Sequence, residues 1–285
     1  MTIELDQVAA RIKHALQEDV SSIEIIPNAE QYIVAEVNSE WIFRFVRDPK
    51  DPCIVYERAF LPLFAQRSPL PIPTIRYSGP NYIAYRKIEG ERLTLENLDQ
   101  ISIKSRREIA RQLGDFLTVL HSFPVKTGEE LGLSDSWGGW REKAHKVFRC
   151  DVAPLLSETT RKGASQLLDQ YSGLHNRTVI HGDFAPFNIL IDTKAERVAG
   201  VLDFGHMTIE ENARDFVDIA RNFGRIFLLD VISNYTSDND SDLLARVEVR
   251  QKEAILGDAV YSFQTGQTGR LRQRIAEMDK IFSVE

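Results

Sequence analysis

An α+β chain is what the sequence predicts, with a small antiparallel-sheet lobe carrying one main helix followed by a larger, mostly helical lobe. Three observations carry this. About five short runs rich in β-branched and aromatic residues, with one apolar helical segment among them, fall within the first ninety residues. From Glu91 onward the pattern changes to long amphipathic helices. That helical region is interrupted once, by three short apolar runs at 178–180, 188–191 and 198–202, and the interruption holds the conspicuous polar residues.

The elements follow in order. Leu5, Val8, Ala9, Ile12 and Leu16 recur at helical spacing, which predicts an opening amphipathic helix. Residues 22–26, 31–37 and 40–46 read as strands, and Asn38-Ser39 between the last two reads as a hairpin turn. In the third run Trp41, Phe43 and Phe45 share one face and Ile42, Arg44 and Val46 the other, so an arginine sits among apolar neighbours. Residues 54–66 look helical, and the prolines of Pro69-Leu70-Pro71-Ile72-Pro73 then keep the chain extended. Strands are expected at 74–77 and 82–88. The composition shift near Ile88–Glu91 sets the boundary between residues 1–88 and 89–285, with a linker at about 84–90. Beyond it, Ile109, Leu113, Phe116, Leu117 and Leu120 mark the buried face of a helix over 104–121. Residues 233–242 form a polar loop, and 256–278 are helical again.

Composition narrows the function classes. The 285 residues hold 35 Lys+Arg against 42 Asp+Glu, a net charge of −7, and 25 basic against 31 acidic side chains fall in 89–285. An acidic surface repels phosphate backbones, so nucleic acid and anionic membranes are disfavoured as partners. Cys53 and Cys150 lie far apart, without the spacing of a zinc knuckle, and read as reduced structural thiols. The opening Met1-Thr2-Ile3-Glu4-Leu5-Asp6 lacks a basic leader, and the sequence has no apolar run of membrane-spanning length, which points to the cytoplasm.

The chemistry concentrates in His181-Gly182-Asp183-Phe184-Ala185-Pro186-Phe187-Asn188, followed by Asp203-Phe204-Gly205. Asp183, Asn188 and Asp203 stand at the ends of short apolar strands, where a polar group projects into a cleft while its neighbours anchor the backbone. Asn188 and Asp203 offer the oxygen donors that Mg²⁺ takes when water and phosphate complete its shell. Asp183 is then free to accept a proton from an incoming hydroxyl. A mixed His/carboxylate metal site of a hydrolase, built on His181, Asp183, Asp203 and His206, is a competing reading of the same residues.

The segment resembles the catalytic and metal loops of protein-kinase-like phosphotransferases, H-x-D-x-x-x-x-N followed by D-F-G. Gly182 after the histidine, together with Phe184-Ala185-Pro186, makes it similar to the aminoglycoside phosphotransferase family. The stretches Ile33 to Asn38, Leu70 to Pro73 and Lys87-Ile88-Glu89-Gly90 resemble the 2''-phosphotransferases within it. The resemblance implies a bilobal protein-kinase-like fold and transfer of the γ-phosphate of ATP or GTP to a substrate hydroxyl. It assigns Asp183 as catalytic base and Asn188 and Asp203 as Mg²⁺ ligands. Arg44 takes the place of the phosphate-gripping lysine, with Glu57 as its helical partner, and Tyr85 and Lys87 lie where the linker meets the nucleotide base. Asp215 corresponds to the aspartate that stabilises the catalytic loop, while His206 and Glu210 lie nearest the acceptor.

The sequence departs from that pattern at two places. Pro27-Asn28-Ala29-Glu30-Gln31 contains no glycine where a glycine-rich phosphate loop is expected, and Ala220-Arg221-Asn222-Phe223 stands where a run of acids would receive ammonium groups. A nucleotide-binding module impaired in transfer is the alternative that the first departure, together with Arg44 in the lysine's place, motivates. Between Gly205 and Asp242, however, 8 acids face 3 arginines, which favours a cationic acceptor. An aminoglycoside antibiotic is the leading expectation, as in resistance enzymes, with a macrolide or a metabolic amino alcohol or sugar as alternatives. Trp137, Trp140 and Tyr261 are candidates for lining its pocket.

Overall fold

The computed structural model describes residues 5–16, 18–27, 32–48, 51–134, 136–170, 177–236 and 241–282. Helix α1 (Leu5–Ala15) precedes strands β1 (Ile23–Ile26), β2 (Tyr32–Val37) and β3 (Trp41–Val46), then α2 (Cys53–Phe64), β4 (Ile75–Gly79) and β5 (Tyr82–Arg86). The five strands form one antiparallel sheet in the order β1-β2-β3-β5-β4. Asn38 and Ser39 both adopt positive φ, 54° and 57°, the conformation that matches a two-residue hairpin turn to strand twist.

The sheet's two faces have different duties. Trp41, Phe43 and Phe45 pack with Val8 and Ile12 of α1 and with Leu16 just beyond it, while Val46, Ile83 and Tyr85 pack with Cys53 and Ile54 of α2. Arg44 lies on this second face, in the central strand, opposite Val34 on one side and Ile83 on the other. Bonding on both sides fixes the backbone from which the guanidinium projects.

Downstream come β6 (Glu91–Arg92), α3 (Leu95–Gln100), α4 (Ile103–His121), α5 (Val125–Glu130), α6 (Ser136–Val147) and α7 (Glu158–Gln170). Then follow β7 (Thr178–Ile180), β8 (Ile189–Asp192), β9 (Arg197–Val201), β10 (Thr208–Glu210), α8 (Val217–Ile232), α9 (Leu243–Gln264) and α10 (Thr268–Phe282). The main core joins Phe60, Leu61 and Phe64 of α2 to Phe116 and Leu117 of α4 and to Phe204. Helix α2 belongs to the first 88 residues, yet its apolar face is buried with the helical part.

Several boundaries differ from expectation. Asn188 closes a 3₁₀ turn, Pro186–Asn188, rather than opening a strand. Strand β10, which pairs with β7, and the two-residue β6 are too short to leave a periodic signal. The helical stretch expected over 256–278 is two helices parted at Gly266, whose φ of +69° ends α9. Residues 28–31, 237–240 and the side chains of Leu5, Trp137 and Trp140 lie outside what is described, and with them the glycine-free loop and part of the polar loop. Among the described residues no helix is long and apolar enough to cross a membrane.

Candidate active site

Strand β7, with Val179 and Ile180 buried, delivers His181, Gly182 and Asp183 to the interior edge of the helical part. Phe184 then anchors the loop by stacking on Phe116 at 5.7 Å. The 3₁₀ turn brings Asn188 back, and its Nδ2 donates to both Asp183 O and Asp183 Oδ2 at 2.9 Å. This pins the partly exposed Asp183 carboxylate, and among the described residues no donor reaches Asn188 Oδ1. The β8–β9 hairpin presents Asp203 beside it, with Leu202 N donating to Asn188 O at 2.8 Å. Asp203 has φ 62° and ψ 70°, a left-handed conformation costly for a non-glycine residue, and the fully buried Phe204 holds it there. The donor set fits a hard cation: one amide oxygen and one carboxylate line a common cavity, the pattern Mg²⁺ takes when phosphate and water supply the rest.

The loop is fixed from behind by buried polar groups. Asp215, 1% exposed, accepts from His181 N at 2.8 Å, Gly182 N at 2.9 Å and His121 Nε2 at 3.0 Å. Burial favours its neutral form, but His121 foremost and then His181 outweigh this and hold the carboxyl below its ordinary value. His181 is fully buried, and burial lowers its pKa. With the proton on Nε2, that nitrogen donates to Leu202 O at 3.0 Å while Nδ1 accepts from Asp183 N at 3.3 Å. Both ring nitrogens are thereby engaged within the protein, which removes His181 as a ligand in the hydrolase-type metal site. Gly182 is required by geometry: its φ is +80°, and a Cβ there would meet His206 O at 2.1 Å.

Across the cleft Arg44, 4% exposed, bridges two carboxylates, donating from Nη1 to Glu57 and from Nη2 to Asp203, each at 2.6 Å. Its guanidinium also lies 4.1 Å over the Tyr32 ring. Burial pushes Glu57 up to about 7 against the pull of Arg44. Burial opposes ionisation of Asp203 too, but Arg44, His206 and His181 keep it below its ordinary range. The less enclosed carboxylate therefore stays charged beside the arginine. Lys87 donates to Glu36 at 3.0 Å, and burial raises the Tyr85 phenol.

Two cavities meet here. One of about 660 Å³ is lined by Arg44, Tyr85, Lys87, Asn188, Asp203 and His206, and a second of about 500 Å³ runs between α6, α8 and α9. Asp183 and Phe187 line both. His206 thus faces the first cavity and is absent from the lining of the second.

Glu210 requires a correction as an acceptor-side contact. It is fully buried, bonded to Arg141 and 2.9 Å from Arg250, so its charge is spent inside the protein. Tyr261 lines the second cavity. Sequence reasoning passed over Phe187, an exposed aromatic within the motif itself, and the α9 residues Arg250 and Glu253, which carry no local motif.

The model of the phosphotransferase enzyme family matches residues 24–248. The chain belongs to this family. As a member it is a small-molecule phosphotransferase with an alcohol group as acceptor, and its α+β architecture is that of its relatives. The GDP and kanamycin complex of APH(2'')-IIIa superposes with a TM-score of 0.86 at 20% identity, covering 97% of this chain and 98% of that one. The ADP-bound APH(2'')-Ib gives 0.72 at 17% identity, with 97% of each chain covered. A type I macrolide 2'-phosphotransferase gives 0.73 at 18% identity, with 98% of each covered. A search of the curated proteins finds no match.

Proposed function

We propose that this phosphotransferase moves the γ-phosphoryl group of ATP or GTP to a hydroxyl of a small amine-bearing compound, of the aminoglycoside or macrolide kind that its structural neighbours act on. The observation that carries the reading is the meeting of the two cavities at Asp183, with Asn188 and Asp203 on the first side only. In this reading residues 1–88 form the nucleotide lobe and 89–285 the catalytic and acceptor lobe, in a cytoplasmic enzyme supplied with nucleotide.

The nucleotide fills the first cavity, its base near Tyr85 and Lys87 and its phosphates near Arg44. Asn188 Oδ1 and the Asp203 carboxylate would hold Mg²⁺, which when bound would neutralise phosphate charge. Glu57 fixes Arg44 from behind, so the guanidinium can exchange Asp203 for phosphate oxygens without losing its orientation. Asp183, held by the Asn188 amide, orients the acceptor hydroxyl for in-line attack and takes its proton as the bond to phosphorus forms. Phe187, which lines both cavities, stands between the nucleotide and the acceptor.

The test is incubation with ATP or GTP, Mg²⁺ and a panel of hydroxyl-bearing amines, read as a mass gain of one phosphoryl group. Asp183→Asn should lower turnover by about 10²-fold or more with nucleotide affinity near that of the wild type. Full turnover in that variant refutes the role of Asp183.

A further inference from the structure

The second cavity carries two features that phosphoryl transfer itself does not use. Its wall presents Arg141, Arg214, Arg221, Arg250 and Arg270, an unexpected lining for a chain of net charge −7. Most of the acids beside them are committed. Glu253 is held by Arg141 at 3.0 Å and Arg250 at 2.8 Å, and Asp258 by Arg221 at 2.9 Å. Asp218 differs. It lies in the first turn of α8, half-buried in the same wall, and among the described residues no hydrogen bond or ion pair reaches its carboxylate. Its backbone oxygen accepts from Asn222 Nδ2 at 2.8 Å.

The remaining surface is apolar, with Phe148, Leu168, Phe187, Val217, Leu256 and Val260 among its residues. Among the described residues lining this cavity, Asp218 is the one carboxylate besides Asp183 that no arginine holds. A compound with four or five ammonium groups finds no further uncommitted carboxylate among these residues, so each surplus ammonium must displace an arginine from Glu253 or Asp258 or stay unpaired in a partly desolvated pocket, and both are disfavoured. A single ammonium seated on Asp218 displaces no ion pair, although the charges of Arg221 and Arg214 act on that carboxylate, and an apolar body gains by covering the aromatic and aliphatic wall.

We propose that Asp218 is the specificity-determining receptor for the one ammonium of an acceptor whose hydroxyl sits at Asp183 and whose remaining body is apolar. The assignment rests on the phosphotransferase reading and narrows its substrate class to monoamines. Burial, and then the charge of Asp183, raises the proton affinity of Asp218 against the opposing pull of Arg221, which is the state that a cationic ligand relieves.

Calorimetry with ATP and GTP comes first, because a chain that binds neither refutes the parent reading and this assignment with it. The nucleotide-loaded chain is then offered erythromycin and propranolol, monoamines with apolar bodies, against kanamycin and gentamicin. At least one monoamine should show a KM about tenfold or more below either polyamine. Its uncharged counterpart, the N-oxide of erythromycin or N-acetyl propranolol, should lose about tenfold in KM with kcat little changed, and D218N should shrink that gap to about twofold. D218S provides a second variant, and the comparison of amine with uncharged counterpart in the wild type stands even if both fold poorly. Preference for a polyamine, failure of both monoamines in a chain that binds nucleotide, or an amine preference undiminished in folded D218N or D218S overturns the assignment.

Discussion

Asp215→Asn isolates what the buried support of the loop from His181 to Asn188 contributes. The carboxylate accepts three hydrogen bonds, two at Oδ2 and one at Oδ1. A carboxamide of the same shape can keep its oxygen toward His181 and His121, but its NH₂ then opposes Gly182 N–H, and a buried donor is left unpaired. Losing one charge-assisted hydrogen bond costs about 1.5–3 kcal/mol, and the stranded N–H about 1–3 more, so roughly 3–5 kcal/mol is expected. At about 2.1 cal/mol/K per residue, 285 residues give an unfolding entropy of roughly 0.6 kcal/mol/K, and the midpoint should fall by about 5–8 °C.

The pH dependence gives a second signature. A carboxyl held below its ordinary 3.8 in the folded state contributes stability that is full above that value and is lost as pH falls through the folded pKa. The difference between wild type and Asp215→Asn should therefore be constant near neutrality and close below about pH 4. Because Gly182 leads directly into Asp183, kcat should fall more than the KM for nucleotide changes. Scanning calorimetry across pH, with steady-state kinetics, reads all three. A midpoint within 2 °C of wild type, or a gap that does not close in acid, would refute the reasoning.

Gly182→Ala should cost at least about 2 kcal/mol and most of the activity, since left-handed backbone and a contact with His206 O are forced together; an unchanged urea midpoint would contradict this. Arg44→Met leaves the fully buried Glu57 without its cation, with a loss of about 3–5 kcal/mol at high pH. Glu57 already titrates at about 7, a carboxyl raised by folding, so it costs stability as pH rises through its unfolded value toward 7. Without Arg44 that pKa climbs further, and the gap between variant and wild type should widen as pH rises above about 7. Melting at pH 6 and pH 9 decides this, and a gap independent of pH would rule it out.

The legible part of this protein was local. Strands β2 and β3 declared themselves by alternation, with Asn38-Ser39 marking the turn between them, because side-chain period and turn chemistry are set by neighbours along the chain. The loop from His181 to Asn188 was readable for the same reason, since its groups lie within one short stretch of sequence. Arg44 and Glu57 are 13 residues apart and were paired through the family pattern rather than by any spacing rule. That Arg44 also reaches Asp203, 159 residues away, had no signal in the sequence.

The acid-rich stretch after Asp203-Phe204-Gly205 shows the limit in energetic terms. Counted along the sequence, Glu210 and Glu211 add to an acidic stretch suited to a cationic acceptor, while Asp215 is already expected to be structural. Folding instead buries all three, because Arg141 in α6 and Arg246 and Arg250 in α9 reach the two glutamates and His121 in α4 reaches the aspartate. Burying these charges unpaired would be prohibitive, so the acids and arginines must converge as a set, which locks α6 and α9 against β10 and the loop that follows it. The wall of the second cavity is the outer side of that set, which is why it presents arginines to a substrate while the chain as a whole is acidic. A charge sum describes the acceptor only after internally neutralised carboxylates are removed, and among the acids Glu210, Glu211, Asp215 and Asp218 that removal leaves Asp218 open to the cavity.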